Sequence, residues 1–331
     1  MSTPRTLARL PTPIHPLQRA SELLGCSVWI KRDDLTGAAL SGNKIRKLDC
    51  LLADAHTRGA TTIITCGGIQ SNHCRATAIA CRQHGLRPVL LLRGSPPPPR
   101  QLDGNLLLDA LVGAEVRWTD ADGYRSRDQH MAHIAEQLRS NGERPYIIPE
   151  GGSNAVGAMG FVHAGRELAA QAQAVGVQFD TVIVATGSGG TLAGLAMSGL
   201  QANVLGVAVC DDRATFRQRV HEIAQQAQTL NMGLTLPSDG WDVLEGHQGE
   251  GYAISTATEL QQQAWLARSE GIIVDPVYTG KAWGALFSVL QQDPRALGRR
   301  VLFWHTGGVF GVFGRGASYH QALDVPFVED A

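Results

Sequence analysis

A lysine near the start of a helical pattern could serve as a nucleophile. In the segment SGNKIRKLDCLLADA, residues 41–55, apolar residues recur at helical spacing, which predicts a helix with one face turned toward a core. Lys44 lies at or just before the first turn of this helix, and Lys47 lies one turn further on. The positive end of the helix dipole and the second cation both disfavour a protonated amine, so the pKa of Lys44 should fall if the site is dry. Lys44 could then act in covalent catalysis, although most lysines near helix starts are simply solvated.

Few other amines could take that role. Of the 29 basic residues, 25 are arginines, which stay protonated, and only four are lysines. Those four are Lys31, Lys44, Lys47 and Lys281. Lys281 is the rival candidate for a covalent role.

A glycine-rich turn follows the apolar run TVIVA, residues 181–185. Its small and hydroxyl-bearing residues are Gly187, Ser188, Gly189, Gly190 and Thr191. Bare N–H groups at a helix start, together with two hydroxyls, would cradle a phosphate. The dinucleotide pattern fails because Leu192 occupies the third glycine position, and no Walker lysine follows. The turn therefore favours a compact phosphate monoester over NAD or ATP, with a tight ligand-free turn as the alternative.

Three further turns rich in Gly, Ser and Asn follow predicted strands. CGGIQSNHCR, residues 66–75, presents Ser71 and Asn72 at a helix start, where they could cap the helix or face a ligand. EGGSNAVGAMG, residues 150–160, and HTGGVFG, residues 305–311, are the other two. Ligands of open α/β sheets bind beyond the carboxyl ends of strands, so these turns predict a cleft for an anionic small molecule. A nucleophilic lysine, a phosphate cradle and an asparagine are what pyridoxal 5'-phosphate requires.

The elements that would position these residues alternate along the chain. Predicted strands lie at residues 61–65, 88–92, 114–118, 145–149, 181–185, 203–209 and 300–304. Predicted helices lie at residues 72–85, 105–113, 127–141, 157–175, 191–200, 213–230, 257–270 and 280–291. Strands that are apolar on both faces and alternate with helices indicate an α/β fold with parallel sheets covered on both sides.

The composition argues against several classes of partner. A net charge of −1 gives no basic excess for nucleic acid, and no run of 18 apolar residues predicts a membrane span. The N-terminal segment lacks the apolar core of a secretory signal. Six cysteines without a CxxC pair favour buried, reduced thiols. We therefore expect a cytoplasmic enzyme with no metal site, no nucleic-acid partner and no membrane association.

Taken together, the motifs resemble those of the D-cysteine desulfhydrase and 1-aminocyclopropane-1-carboxylate deaminase family of fold type II pyridoxal-phosphate enzymes. The resemblance runs from residue 11 to residue 308. It rests on the motifs KRDD, SGNKIRKL, GGIQSN, PYIIPEGGSNAVGAMG, ATGSGGT, EGYAI, EGIIVDPVYTGKA and HTGG. It implies two open, mostly parallel twisted sheets flanked by helices, as in the tryptophan synthase β fold. Residues 1–48 and 160–331 would form a large domain and residues 49–159 a small one, with the cofactor in the cleft between them.

The resemblance also implies roles for individual residues. Lys44 would be the Schiff-base lysine, Asn72 would touch the 3'-oxygen of pyridoxal 5'-phosphate, and the turn at 187–191 would hold its phosphate. Ser71 would contact the substrate carboxylate or assist proton transfer. Tyr278 and Tyr252 would lie on the substrate side of the ring. A homodimer acting on a small amino acid is expected on the same basis.

The choice of reaction within the family turns on the residue after the tyrosine of DPVY. The deaminases have a glutamate there, whereas this chain has Thr279, as desulfhydrases do, and Thr306 of HTGG matches them too. A hydroxyl leaves the ring nitrogen neutral, which suffices to expel a good β-leaving group. Either threonine could pair with that nitrogen, and Thr306 is favoured. The resemblance thus implies α,β-elimination, with D-cysteine giving pyruvate, sulfide and ammonia.

Alternatives remain open at this point. Departures from both groups at VFGVFGRG and EGYAIST leave room for a deaminase, a sulfo-lyase acting on cysteate, or a lyase for S-substituted cysteines. A Rossmann-like nucleotide-binding oxidoreductase is the alternative from a different class. A catalytically silent amino-acid-binding relative is a third.

Overall fold

The computed structural model describes residues 6–97, 102–249, 251 and 253–323. Its strands are β1 Ile14–Pro16, β2 Ser27–Arg32, β3 Thr62–Gly68, β4 Arg87–Arg93, β5 Glu115–Thr119, β6 Pro145–Ile147, β7 Thr181–Thr186, β8 Asn203–Ala208, β9 Trp241–Leu244 and β10 Arg300–His305. Its first helices are α1 Gln18–Leu24, α2 Lys44–Thr57, α3 Asn72–Gln83, α4 Gly104–Leu111, α5 Ala121–Arg125, α6 Arg127–Ser140 and α7 Ala155–Ala174. The remaining helices are α8 Gly190–Ala196, α9 Arg213–Thr229, α10 Ala257–Glu270, α11 Thr279–Gln292, α12 Phe310–Phe313 and α13 Gly316–Ala322.

Two sheets organise these elements. The larger has the strand order β1-β2-β10-β7-β8-β9, and all its neighbours are parallel except β1 and β2. The smaller has the order β5-β4-β3-β6 and is parallel throughout. The predicted α/β class is therefore confirmed. Because parallel strands end at one edge, the turns after β3, β7 and β10 each lie at the carboxyl edge of their sheet.

The central strands are buried on both faces, as their apolar sequences require. Every residue of β7 is buried, and so is every residue of β3 except Gly68. The large sheet is covered on one side by α7, α8 and α9 and on the other by α1, α10 and α11. This two-sided cover is the reason that these strands read as continuous apolar runs.

Helix α2 connects the region of the small sheet to that of the large sheet. Its buried face includes Ile45, Leu48 and Leu52, which share a core with Ile63 of β3. The helix also packs along α7, where an added Cβ at Gly160 would lie 2.1 Å from the carbonyl oxygen of Arg46. The expected domain boundaries at 48/49 and 159/160 both fall inside helices, α2 and α7.

No helix among the described residues is long and apolar enough to cross a membrane. All six cysteines are free thiols; four are buried, as the sequence predicts, whereas Cys50 and Cys210 are half-buried.

Candidate active site

A cavity of about 490 Å³ lies where the turns after several strands meet. It is lined by Asn43, Lys44, Gly67, Gly68, Ser71, Asn72, His73, Arg93, Ala121, Tyr124, Arg125, Arg127, Glu150, Gly151, Ala185, Thr186, Gly187, Ser188, Gly189, Thr191, Leu192, Cys210, Asp211, Arg219, Tyr278, Thr306 and Gly307. These residues come from elements on both sheets. The four glycine-rich turns singled out in the sequence all contribute to this lining.

Lys44 is the first residue of α2 and is half-buried at the cavity wall. Its amine makes no hydrogen bond to any residue that the structure describes. Burial lowers the pKa of Lys44 to about 8, while the charges of Glu150 and Asp275 oppose this shift. The direction agrees with the sequence prediction, but the cause is burial rather than Lys47. A pKa near 8 leaves a useful fraction of the amine neutral at physiological pH.

Lys47 lies one turn later in α2, where it is fully buried and its amine lies close to Gly190 of the turn at 187–191. Its amine donates to the carbonyl oxygen of Gly151 at 3.1 Å and to Ser153 Oγ at 3.2 Å. Burial, and to a lesser extent the charge of Lys44, lowers the pKa of Lys47 well below its usual value. Burial is therefore the main cause of the lowered pKa at both lysines.

The hydroxyl of Ser153 connects Lys47 to the glycine-rich turn. It lies 2.8 Å from Ser188 Oγ and accepts the backbone N–H of Gly190 at 3.2 Å. An added Cβ at Gly190 would lie 2.6 Å from Ser153 Oγ and 2.9 Å from the Lys47 amine. Gly189 has φ +85°, a conformation that L side chains rarely adopt. Both glycines are thus required by the path of the backbone.

Thr191 faces the same turn from the start of α8. Its hydroxyl oxygen accepts a hydrogen bond from Asn43 Nδ2 at 3.1 Å. Because that bond uses a lone pair, the hydroxyl proton of Thr191 stays available to a ligand.

Ser71 and Asn72 start α3 at the carboxyl end of β3. Ser71 caps the helix by accepting the N–H of Cys74 at 3.2 Å, and it also lines the cavity. Asn72 is half-buried and accepts a hydrogen bond from Asn105 Nδ2 at 3.0 Å. Capping and exposure to the cavity, weighed as alternatives in the sequence, coexist at Ser71.

The two threonines and Tyr278 occupy different environments. Tyr278 lines the cavity, and its ring lies within 2.9 Å of where a Cβ at Gly187 would stand. Thr306 also lines the cavity. Thr279 is fully buried away from the lining, and its hydroxyl donates to Asp275 Oδ1 at 2.6 Å. Tyr252, the second expected tyrosine, lies outside the described residues.

Lys281, the rival lysine, is not part of the cavity lining. It is buried on α11, and its amine donates to the carbonyl oxygens of Gln248 and Gly251, the latter at 2.7 Å. Among the described residues, Lys44 is the lysine that lines the cavity.

Several lining residues were not singled out by the sequence. Tyr124 donates its hydroxyl to Glu150 Oε1 at 2.7 Å, and Arg127 forms an ion pair with Glu150 at 3.3 Å. The guanidinium groups of Arg93 and Arg127 lie over the Tyr124 ring, at 5.2 Å and 5.3 Å from its centroid. Glu150 belongs to the turn EGGSN and was therefore within reach of sequence reasoning. Tyr124, Arg93 and Arg127 carry no local signal, because they come from three different elements, α5, β4 and α6, that only tertiary packing brings to the cavity.

Comparison with known proteins agrees with this geometry. The model of the pyridoxal-phosphate-dependent enzyme family matches residues 5–307. The chain is 42% identical over 322 residues to a bifunctional D-cysteine desulfhydrase/1-aminocyclopropane-1-carboxylate deaminase of Arabidopsis thaliana, covering 93% of this chain and 79% of that one. It is 41% identical over 320 residues to a D-cysteine desulfhydrase of Yersinia pestis, covering 94% of each. A putative 1-aminocyclopropane-1-carboxylate deaminase of Thermotoga maritima is 40% identical over 311 residues, covering 93% of this chain and 96% of that one.

Solved structures extend the comparison to the fold. A crystal structure of an ACC deaminase homologue superposes with a TM-score of 0.85 at 37% identity, covering 96% of this chain and 95% of the other. A fungal L-serine ammonia-lyase from Rhizomucor miehei superposes with a TM-score of 0.68 at 18% identity, covering 96% and 99%, and supports the fold alone. The resemblance found in the sequence motifs, including the type II fold, is confirmed.

Proposed function

Because the chain belongs to the pyridoxal-phosphate-dependent enzyme family, we propose that it is a lyase that eliminates the β-substituent of a β-substituted alanine, with D-cysteine as substrate. The observation that carries this proposal is the half-buried Lys44 amine, with its lowered pKa, on the wall of a cavity that also contains a glycine-rich turn. The products would be pyruvate, sulfide and ammonia.

The residues present fit pyridoxal 5'-phosphate. A cavity of about 490 Å³ lies within the range of small-molecule sites. Glycines at 187, 189 and 190 stand where a Cβ would be strained or would collide with Tyr278 or Ser153, so the backbone can approach a ligand closely. We propose that Gly187, Ser188, Gly189, Gly190 and Thr191 hold the phosphate, that Lys44 binds the aldehyde carbon, and that Asn72 donates to the 3'-oxygen.

When bound, the cofactor supplies an electron sink for the α-carbon of the amino acid. The free Lys44 amine would accept the α-proton, since an amine with a pKa near 8 is a competent base at neutral pH. Loss of the α-proton and of the β-substituent as a thiolate would leave 2-aminoacrylate, which hydrolyses to pyruvate and ammonia. Ser71 contacts the substrate carboxylate, while Tyr278 lies beside the reacting atoms and can hold a proton. Tyr252 is proposed for the same side of the ring by resemblance.

The environment of the ring nitrogen supports elimination over ring opening. Thr306 lines the cavity, whereas the Thr279 hydroxyl is bonded to Asp275. A hydroxyl partner at Thr306 leaves the nitrogen neutral, which is sufficient for expelling a thiolate. 1-Aminocyclopropane-1-carboxylate has no α-proton to lose, so opening its ring would require a stronger electron sink than the elimination of a thiolate does. Deaminase activity therefore remains the alternative within the family.

A second candidate substrate follows from the arginines at the cavity. Arg93, Arg125 and Arg127 all line it, and Arg125 pairs with Asp122 while Arg127 pairs with Glu150. A cationic wall would suit a β-substituent that carries its own charge, such as the sulfonate of cysteate. Elimination would then release sulfite in place of sulfide.

The experiment is a panel of D- and L-β-substituted alanines, with 1-aminocyclopropane-1-carboxylate, scored for pyruvate, 2-oxobutanoate, sulfide and sulfite. D-Cysteine should release pyruvate and sulfide, and Lys44→Ala should lose both this turnover and the visible absorbance of the bound cofactor. Preference for cysteate would support the second candidate. A holoenzyme that releases no keto acid from any member would contradict the proposal and favour a silent amino-acid-binding protein.

Three further expectations accompany the proposal, on the cellular setting, the oligomeric state and the domain division. The six free thiols are consistent with a reducing, cytoplasmic setting. A homodimer is proposed from the resemblance, and sedimentation of the holoenzyme would measure it. The two-domain division is supported by the two separate sheets. Limited proteolysis would locate its boundaries.

A further inference from the structure

Asn105 is buried behind the cavity and contacts a residue of its lining. Its side chain is fully buried on α4, and its Nδ2 lies 3.0 Å from Asn72 Oδ1 and 3.0 Å from the carbonyl oxygen of Gln70. Its backbone N–H donates to Gln70 Oε1 at 2.8 Å. Asn105 is not part of the cavity lining, and Asn72 is the lining residue whose side chain it contacts.

The chemistry of these contacts fixes the orientation of both amides. A backbone carbonyl can only accept, so the atom of Asn105 that faces Gln70 must be its NH₂ group. The same NH₂ group contacts Asn72, and the atom of Asn72 that meets it must therefore be the oxygen. Turning the Asn105 amide over would bring its oxygen against both the Gln70 carbonyl and the Asn72 oxygen. The Asn72 amide is thereby left with its NH₂ group for the cavity.

Gln70 is itself held in place, so this orientation does not depend on a mobile partner. Its Nε2 donates to Asp103 Oδ1 at 2.8 Å and to the Asp103 carbonyl oxygen at 3.2 Å. Its Oε1 is occupied by the N–H of Asn105. The backbone carbonyl of Gln70 thus fixes the orientation of the Asn105 amide, which in turn fixes the orientation of the Asn72 amide.

We infer that Asn105 is a positioning residue that turns the NH₂ group of Asn72 toward the phenolic oxygen of the cofactor. This inference rests on the proposed function, because it assumes that Asn72 faces that oxygen. An amide free to rotate could present either its NH₂ group or its oxygen, and the second arrangement would repel an anionic oxygen. Asn105 removes that choice before the cofactor binds.

The test compares Asn72→Ala, Asn105→Ala and the double variant. Two readouts are used: the dissociation constant of pyridoxal 5'-phosphate from the apo-protein, and the pH midpoint of the visible band of the holoenzyme. We expect Asn105→Ala to weaken cofactor binding about three- to tenfold, the loss of roughly one hydrogen bond. We also expect it to move the pH midpoint in the same direction as Asn72→Ala. The double variant should match Asn72→Ala alone, because Asn105 acts only through Asn72.

Leu106→Ala is the matched control, since Leu106 is the buried neighbour of Asn105 on α4 and does not line the cavity. It should lower thermal stability and leave the pH midpoint unchanged. Asn105→Asp keeps the shape and replaces the donor with an acceptor, so Asn72 must turn its oxygen to the cavity. This variant should bind the cofactor more weakly than Asn105→Ala, and it also serves if Asn105→Ala does not fold.

Three results would overturn the inference. They are additive effects of the two alanine substitutions, an Asn105→Ala midpoint identical to that of wild type, and an Asn72→Ala holoenzyme with unaltered binding and spectrum. The proposed function fails differently, through a wild-type protein that binds no cofactor or releases no keto acid.

Discussion

At the scale of single residues, the Lys44 amine owes its chemistry to its burial. The sequence predicted the position of this lysine, at the start of an amphipathic helix, because helical periodicity is visible locally. The sequence could not predict the main cause of its pKa shift, because desolvation depends on chain segments more than a hundred residues away. Glu150 and Asp275, which oppose the shift, likewise come from distant turns.

The pH dependence of cofactor capture should report this amine directly. Only the neutral amine attacks the aldehyde, so capture by the apo-protein should accelerate as pH rises and level off above a midpoint near 8, where the pKa of Lys44 lies. The growth of the visible band after mixing at a series of pH values measures it. A midpoint near the ordinary lysine value of about 10.4 would show that the amine is solvated.

Replacing Glu150 should shift that midpoint. The Glu150 charge favours protonated Lys44 and raises its pKa, so Glu150→Gln should move the capture midpoint to lower pH. Glu136→Gln is the matched control, because Glu136 is an exposed residue of α6 whose ion pair among the described residues is with Arg139. An upward or absent shift in Glu150→Gln, with the control unchanged, would refute this account of the charges.

The two threonines should separate into a cofactor role and a structural role. Thr279→Val removes the hydroxyl that donates to Asp275 Oδ1 at 2.6 Å and accepts the Asp275 backbone N–H at 2.8 Å, which should cost about 1–3 kcal/mol of unfolding free energy. Its cofactor spectrum should remain that of wild type. Thr306→Val should instead alter the spectrum with little loss of stability. Denaturant unfolding and absorbance measure the two effects, and the reverse pattern would assign the ring nitrogen to Thr279.

At the scale of elements, strands with continuous apolar sequences were predictable, whereas a strand that contains a buried charge was missed. The buried runs of β3, β4, β7 and β10 were all predicted, whereas β2 was missed. Its sequence SVWIKR contains Lys31, whose amine is fully buried and bonded to Glu167 and Gln171 of α7. A charge satisfied by a partner 136 residues away cannot be recognised from a local pattern.

The turn between β7 and α8 gives a prediction at this scale. Gly190→Ala places a methyl group against Ser153 Oγ and the Lys47 amine, so the turn must shift. Overpacking of this kind costs roughly 1–3 kcal/mol, which corresponds to about 5- to 150-fold weaker binding of pyridoxal 5'-phosphate if the shift displaces the phosphate donors. Gly311→Ala, where no described atom lies within 4 Å of the added methyl group, is the control. Unchanged affinity in Gly190→Ala would contradict the phosphate assignment.

At the scale of the whole molecule, the site is assembled from segments that the sequence keeps far apart. The turns after β3, β6, β7 and β10 meet because parallel strands end at a common edge of each sheet, a rule that sequence reasoning could use. The contributions of α5 and α6, which bring Tyr124 and Arg127, follow from tertiary packing and had no comparable rule. The cofactor would therefore join elements of both sheets.

Bound cofactor should stabilise the entire fold. Ligand that binds only the native state adds about 2.7 kcal/mol at a hundredfold excess over its Kd, so pyridoxal 5'-phosphate should raise the Tm of the apo-protein. In Lys44→Ala the rise should be much smaller, since only the phosphate and ring contacts remain. Calorimetry of both proteins with and without cofactor measures this difference. Equal rises would imply that Lys44 does not bind the aldehyde.

The most direct measurement is to reduce the holoenzyme with borohydride, digest it and locate the pyridoxyl group by mass spectrometry. The chain has four lysines, and we expect the modification on Lys44. Modification of Lys31, Lys47 or Lys281 instead, or of no lysine in a protein that retains bound cofactor, would contradict the central claim that Lys44 binds the aldehyde.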